Sequence, residues 1–379
     1  MNFEKLNALM ESQPDRGIPF SQIIVTKDGK TVFEKSVGFA DAEGKIPYTG
    51  DRLCWIFSCT KVITCVAAMR LVEEGRLQLS DPVSKYLPAF GELTVMQKDR
   101  SVVPAQNVMT VEHLFTMTGG LDYDLRAPAI LEAVSNPNNG TVEIVSAMAK
   151  KPLQFEPGTH YTYSLCHDVL AAVVEVVSGM RFSDYLKTYL LDPLGMTNTG
   201  FRPTPEQEAR ICSSFDFDIA RGEATPRVPD NAYALSHNYD SGGAGLFSCP
   251  ADYIQLLTAL ACNGVAANGY QVLKPETIAM MEENRLCDTA WKDFINRNGR
   301  HYGYGWGLCG RVHVNPVYSH AATSVGEFGW DGAAGAYALV DRKNGVAIYY
   351  AQQVRGCGYV YNAIHPRLRD LAMEGILEK

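Results

Sequence analysis

The chain has 379 residues, 46% hydrophobic and 20% charged, the proportions of a soluble globular protein long enough for one large domain or two interleaved ones. Its formal charge of -8, with no basic tract, argues against nucleic acid or an anionic membrane as partner. Ten cysteines with no Cys-x-x-Cys spacing are too sparse for a disulfide scaffold, no apolar run is long enough to span a bilayer, and the N-terminus lacks a signal-peptide pattern, so the expected location is the cytoplasm.

In chain order, Phe3, Leu6, Leu9 and Met10 recur at helical spacing and predict an opening helix. Ser21 to Val25 alternates as a strand, Asp28-Gly29 makes a tight turn, and Thr31 to Gly38 returns beside it. A helix apolar nearly all round follows Ser58 and is stopped by Glu73-Glu74-Gly75. Asp81 or Ser80 can cap a short helix with Pro82 in its first turn, residues 91–109 suit a small hairpin, and Thr110 to Phe115 opens a helix ending at Gly119-Gly120. Helical periodicity then dominates to about residue 290, through Val169 to Val177, Phe182 to Leu190, and helices begun by Pro250 and Pro275. Gly242-Gly243-Ala244-Gly245 interrupts it with permissive backbone. No Lys-Ser/Thr follows, so tight packing under a site is a better reading than a phosphate loop.

From residue 303 the period changes. Gly303 to Val314, Glu327 to Trp330 and Ala336 to Val340 read as strands, Arg342-Lys343-Asn344-Gly345 as a hairpin turn, Val346 to Gln352 as another strand, and Pro366 to Leu377 as a closing helix. The expected fold is α+β: an antiparallel sheet built from both ends of the chain, flanked by terminal helices, with a large, mostly helical insertion. Residues 1–60 and 291–379 would form the sheet domain and 61–290 the helical domain, with an active site between them.

Phe57-Ser58-Cys59-Thr60-Lys61 contains the only Ser-x-x-Lys in the chain. On a helix begun near Ser58, Lys61 lies one turn on and on the same face. The serine also sits beside free backbone N–H groups and the positive end of the helix dipole. The amine heads into low dielectric, where its pKa falls and it can act as a base toward the hydroxyl. An isolated match of this kind is more often a capping serine and a surface lysine. Here Val62, Ile63, Val66, Ala67, Met69, Leu71 and Val72 leave Lys61 little solvent to reach. There is no Gly-x-Ser-x-Gly elbow, and the eight histidines are scattered without metal spacing; His320 reads as a surface or core residue.

Further segments extend the pattern: Thr110 to Leu121, Phe155-Glu156-Pro157-Gly158-Thr159, Tyr161-Thr162-Tyr163-Ser164, Asp192-Pro193-Leu194-Gly195-Met196 and Gly243-Ala244-Gly245-Leu246-Phe247-Ser248. In this order, over about residues 18–353, the sequence resembles the class C β-lactamase and penicillin-binding-protein superfamily, and within it the family VIII carboxylesterases. The resemblance implies a β-lactamase/transpeptidase-like fold, Ser58 as acylated nucleophile, Lys61 as the lysine that takes or shares its proton, and Tyr163 as base or proton relay. A phenol between an ammonium and a serine hydroxyl would have its ionised form favoured, although a buried tyrosine is more often core. Ala333, after the third-motif position, would supply an oxyanion-hole N–H alongside that of Ser58. Tyr123 matches an aromatic bordering the acyl pocket.

Two departures carry functional information. Leu165 stands where the family has the asparagine of Tyr-x-Asn, and Trp330-Asp331-Gly332 stands where it has Lys-Thr-Gly. The groups that would hold a β-lactam carboxylate and amide are therefore missing. Trp330 would offer an apolar plate and Asp331 a like charge, unless Trp330 is ordinary sheet packing and Asp331 faces solvent. The resemblance thus implies a serine hydrolase of small, neutral, short-chain esters, needing no metal and no cofactor. A β-lactamase or D-amino-acid peptidase, an acyltransferase, and an acyl-binding sensor that never turns over are the alternatives. Substrate contacts are expected from Tyr123, Leu165, Trp330, Asp331 and Gly332.

Overall fold

The computed structural model describes residues 1–299 and 301–377. Helix α1 (Glu4–Glu11) buries Leu6, Leu9 and Met10, and the chain then enters a sheet as β1 (Phe20–Lys27) and β2 (Lys30–Gly38). Asp28 and Gly29 between them have φ of 50° and 80°, the paired left-handed turn whose twist matches that of its strands. β3 (Cys54–Trp55) leads into α2 (Thr60–Glu73). A small hairpin, β4 (Thr94–Met96) and β5 (Val102–Pro104), precedes α3 (Val111–Phe115), α4 (Pro128–Ser135), α5 (Thr141–Met148), α6 (Cys166–Ser178), α7 (Phe182–Leu186) and α8 (Pro205–Glu208). Strands β6 (Ser214–Asp218), β7 (Glu223–Arg227) and β8 (Phe247–Ser248) come before α9 (Pro250–Ala261), α10 (Pro275–Met281) and α11 (Asp288–Asn298). The chain returns through β9 (Tyr304–Gly307), β10 (Gly310–His313), the single turn α12 (Pro316–Ser319), β11 (Phe328–Gly329), β12 (Tyr337–Asp341), β13 (Val346–Ala351) and β14 (Val354–Arg355), and closes with α13 (His365–Leu377).

Seven strands form one antiparallel sheet in the order β2-β1-β13-β12-β11-β10-β9. The N-terminal hairpin joins the C-terminal strands where Gln22 faces Ala351 and Lys27 faces Val346. Successive side chains point to opposite faces, and both faces are covered. Ile23 and Val25, with Ile348 and Tyr350, pack under α1 and α13. Ile24, with Ala347 and Tyr349, belongs to the larger core shared with α2, α6 and α9. Helix α9 lies directly on that second face, with Tyr253 stacked on Tyr349 at 4.4 Å. The strands of this sheet stop at Gly38 and resume at Tyr304, and α9, from the segment between, packs on it.

One strand expectation differs from the structure, and three helices go individually unmarked by the sequence pattern. Gly303 to Val314, read as one strand, is the hairpin β9–β10, with Gly310 opposite Gly307; alternation continues across so short a turn and hides it. Residues 122–150 contain α4 and α5 and residues 286–300 contain α11, helices not delimited individually from the sequence. The first two have only eight residues each, too few for a periodic stripe to stand out. All ten cysteines are free thiols, and among the described residues no helix is long and apolar enough to cross a membrane.

Candidate active site

The approach to the serine is a sharp bend. Phe57 has φ of 45°, a left-handed conformation that costs a non-glycine residue roughly 1–2 kcal/mol. Burial of its ring edge-on to Tyr233, at 6.0 Å, holds it there. The bend delivers Ser58 to the head of α2 and to the wall of a cavity of about 640 Å³. Helix α2 is buried on every side from Thr60 to Met69, so Lys61 has its Nζ in the interior.

That Nζ lies 3.3 Å from Ser58 Oγ, 3.3 Å from the Tyr123 hydroxyl and 2.7 Å from the Gly243 carbonyl oxygen. It also sits over the face of Tyr163, 4.7 Å from the ring centroid. Burial pulls its pKa from 10.5 down to about 8, against an opposing pull from the Asp168 carboxylate. The sequence expectation of a lowered lysine pKa is met, and desolvation is the cause.

Tyr163 and Tyr123 stack nearly parallel, 5.6 Å apart at 8°. The Tyr163 oxygen accepts the indole N–H of Trp330 at 3.0 Å and is hydrogen-bonded with Ser58. The expected favouring of its phenolate is not seen. Burial pushes its pKa well above the ordinary value, Asp331 pushes the same way, and the bonds from Ser58 and Trp330 offset this only in part. The lysine cannot compensate, because it meets the ring face rather than the hydroxyl.

The loop after β11 closes the other side. Trp330, Asp331, Gly332 and Ala333 all line the cavity. A β-carbon on Gly332 would lie 2.4 Å from the Ile56 carbonyl oxygen, so only glycine lets this loop approach the serine turn. Tyr361 secures it by donating to the Gly332 carbonyl at 2.8 Å. The amides of Ser58 and Ala333 donate to no protein acceptor among the described residues, leaving two N–H groups at the cavity wall, as an oxyanion hole requires.

Trp330 is more than the expected apolar plate, since its N–H is committed to Tyr163. Asp331 is buried rather than facing solvent. Leu165 is a correction: it is 3% exposed, lies in the hydrophobic core and lines a separate crevice beside Leu121 and Ile130. Its position follows Tyr163 by two, but as the residue before α6 it turns inward, with its N–H bonded to the Asp122 carbonyl. His320 is exposed, outside the cavity. Tyr233, Arg297, Tyr361 and Asn362 line the cavity without having been singled out from the sequence. No periodic pattern marks their segments; the fold alone brings them there.

A buried serine–lysine pair beside a tyrosine and two amides with no protein acceptor among the described residues is the kind of arrangement that nucleophilic acyl transfer calls for. The sequence profile of the Beta-lactamase family matches residues 4–357, and the chain belongs to that family of serine hydrolases. Esterase EstB of Burkholderia gladioli is 29% identical over 348 residues, covering 86% of this chain and 83% of EstB. A D-alanyl-D-alanine carboxypeptidase-like protein of Escherichia coli (strain K12) is 26% identical over 361 residues, covering 87% of this chain and 79% of the relative. Among solved structures, that of EstCE1, titled a hydrolase with promiscuous acyltransferase activity, superposes with a TM-score of 0.80 at 24% identity, covering 98% of each chain. That likeness bears on the fold.

Proposed function

We propose that this chain hydrolyses small, neutral, short-chain esters through an acyl-enzyme on Ser58. The observation that carries the reading is the environment of the Lys61 amine. A neutral amine has two N–H groups and one lone pair. As an ammonium, Lys61 donates to Ser58 Oγ, the Tyr123 hydroxyl and the Gly243 carbonyl; once neutral, its two N–H groups can stay on Gly243 and Tyr123, which frees the lone pair to turn to the serine hydroxyl 3.3 Å away. With the pKa near 8, a usable fraction of Lys61 is neutral at physiological pH, which makes it the proximal base. Ser58 attacks the ester carbonyl as its proton passes to Lys61, and the oxyanion forms at the amides of Ser58 and Ala333. The proton then goes to the leaving alkoxide, with the Tyr163 phenol, kept protonated by burial, as the relay beside Ser58. Water cleaves the acyl-enzyme by the same path.

The preference for esters over β-lactams rests on the third-motif loop. A β-lactam brings a carboxylate, and the third-motif loop offers it no partner, which penalises it heavily there; Arg297, the cation among the cavity-lining residues, reaches the wall from α11 and donates to Thr162. Trp330 has spent its one donor on Tyr163, and Asp331 carries the wrong sign. The relationship to EstB supports the same reading. The ten free thiols fit a cytoplasmic setting. The test is a series of p-nitrophenyl esters of increasing chain length beside a chromogenic cephalosporin. Comparable kcat/KM for a cephalosporin and a short-chain ester would reverse the ranking.

A further inference from the structure

Three of the groups around Lys61 belong to rings and to its own helix turn, but the fourth does not. The Gly243 carbonyl, its shortest contact, sits on an irregular segment that has to be held by something else. Asp168 does this. It stands in the first turn of α6, 1% exposed. Its Oδ1 accepts the Tyr239 hydroxyl at 2.8 Å, the Ser241 hydroxyl at 2.6 Å and the Gly243 N–H at 3.3 Å. Ser241 Oγ in turn accepts the N–H of Ala244 at 3.1 Å. One carboxylate oxygen thus ties down both sides of the peptide that faces the lysine.

Gly243 is a spacer between the two groups, its N–H toward Asp168 and its C=O toward Lys61. There is no room for more: a β-carbon here would lie 2.4 Å from Asp168 Oδ2 and 3.4 Å from Lys61 Nζ. Oδ2 is buried and has no hydrogen-bond partner among the described residues. A buried polar atom left unmatched costs roughly 1–3 kcal/mol, more when charged, so its retention calls for a reason. We infer that Asp168 is a positioning residue for Lys61, holding the amine at Ser58 through Gly243 and through its own unmatched charge. This rests on the roles proposed above for Ser58 and Lys61.

The other titratable groups around the amine are Cys59 from the serine turn, Cys65 from α2, Cys166 and His167 from α6, and Tyr123 and Tyr163 from the loops. Burial keeps all of them neutral near pH 7: it raises the thiols and phenols, Cys166 to about 11, and lowers His167 to about 3. Among these neighbours Asp168 supplies the negative charge, and it opposes the effect of burial on Lys61. Removing that charge moves the lysine's titration to lower pH.

The test is the rate at which a fluorophosphonate labels Ser58, followed against pH, in the parent, Asp168→Asn and Tyr239→Phe. In the parent, labelling rises through about pH 8. Asp168→Asn should lower the plateau by about 10²-fold, the scale for a misplaced catalytic group, and move the midpoint to lower pH. Tyr239→Phe keeps the charge and loosens the clamp, so it should slow labelling modestly with the midpoint unmoved. A simple packing role for Asp168 would not move the midpoint. Parent-like rate and midpoint in Asp168→Asn overturn the inference. If that variant does not fold, unchanged labelling in both Tyr239→Phe and Ser241→Ala overturns it instead. A parent chain that the probe never labels removes the proposed function itself, and this inference with it.

Discussion

Lys61 and Arg311 are both buried cations, and the fold treats them in opposite ways. Arg311, on β10, donates to Glu327 Oε1 at 2.9 Å and to the Tyr337 hydroxyl at 2.9 Å, and its guanidinium sits 4.6 Å above the Tyr337 ring. Burial pulls its pKa down, but Tyr337, Glu327 and their neighbours more than restore it, so the net shift is upward. Among the described residues, Lys61 has no carboxylate in salt-bridge contact. It meets a carbonyl, two hydroxyls and two ring faces, and burial wins. A paired buried charge is a structural tie. An unpaired one whose protonation can change near neutral pH is equipment for chemistry.

The largest expected effect falls on the chemical side. Ser58→Ala should abolish ester hydrolysis and fluorophosphonate labelling, while circular dichroism and thermal unfolding stay those of the parent. Full esterase activity in this variant would remove the mechanism outright.

The contrast itself is tested by replacing each cation with methionine. Lys61→Met should cut kcat/KM by roughly two to four orders of magnitude, the range for losing a positioned base. Its stability in urea should be at or above the parent's at pH 7, because the fall from 10.5 to about 8 corresponds to about 3 kcal/mol of unfavourable burial of the ammonium. Arg311→Met should do the reverse. It leaves Glu327, 0% exposed at its side chain, without its cation, a loss of about 3–5 kcal/mol. Two variants equally destabilised would dissolve the distinction.

Titration offers a milder probe. If neutral Lys61 is the base, kcat/KM should rise about tenfold per pH unit below about 8 and level off above it. The sign for stability follows from the same group. The folded chain binds fewer protons than the unfolded chain between about 8 and the ordinary 10.5, so Lys61 makes stability rise with pH across that window. In Lys61→Met this increment should vanish from urea titrations at successive pH values. An activity limb centred near 6 would point to a different base.

How much of this is legible in the sequence depends on how local the cause is. Ser58 and Lys61 are one helical turn apart, and the apolar residues that bury the lysine are its immediate neighbours, so both the pair and its lowered pKa can be read directly. The β1–β2 hairpin is equally local, since Asp28-Gly29 names its own turn. Tyr163 is marked only by the order of motifs, and its raised pKa depends on burial by distant segments. Asp168 shows its partners least of all: Tyr239 and Ser241 lie 71 and 73 residues further on. Tyr233 and Tyr361 reach the cavity from segments with no periodicity to flag them. Leu165 misleads because a motif position implies a direction, and the turn into α6 points its side chain away.

The finest test concerns Trp330, which reads from the sequence as an apolar plate and in the structure is also a donor. Trp330→Phe separates the two, keeping an aromatic face toward the cavity and deleting the indole N–H that Tyr163 accepts at 3.0 Å. A hydrogen bond of this kind contributes about 0.5–1.5 kcal/mol net, so kcat/KM for a p-nitrophenyl ester should fall by roughly two- to tenfold. The loss should appear in kcat more than in KM, because the bond orients the phenol rather than holding the ester. A plate without a donor role predicts no change at all. The same variant bears on specificity: if the aromatic face excludes β-lactams by leaving their carboxylate unpartnered, phenylalanine excludes them equally well, and cephalosporin turnover stays low. Cephalosporin activity rising in Trp330→Phe while ester activity holds would show the indole N–H, rather than the missing lysine and hydroxyl of the third motif, to be what keeps β-lactams out.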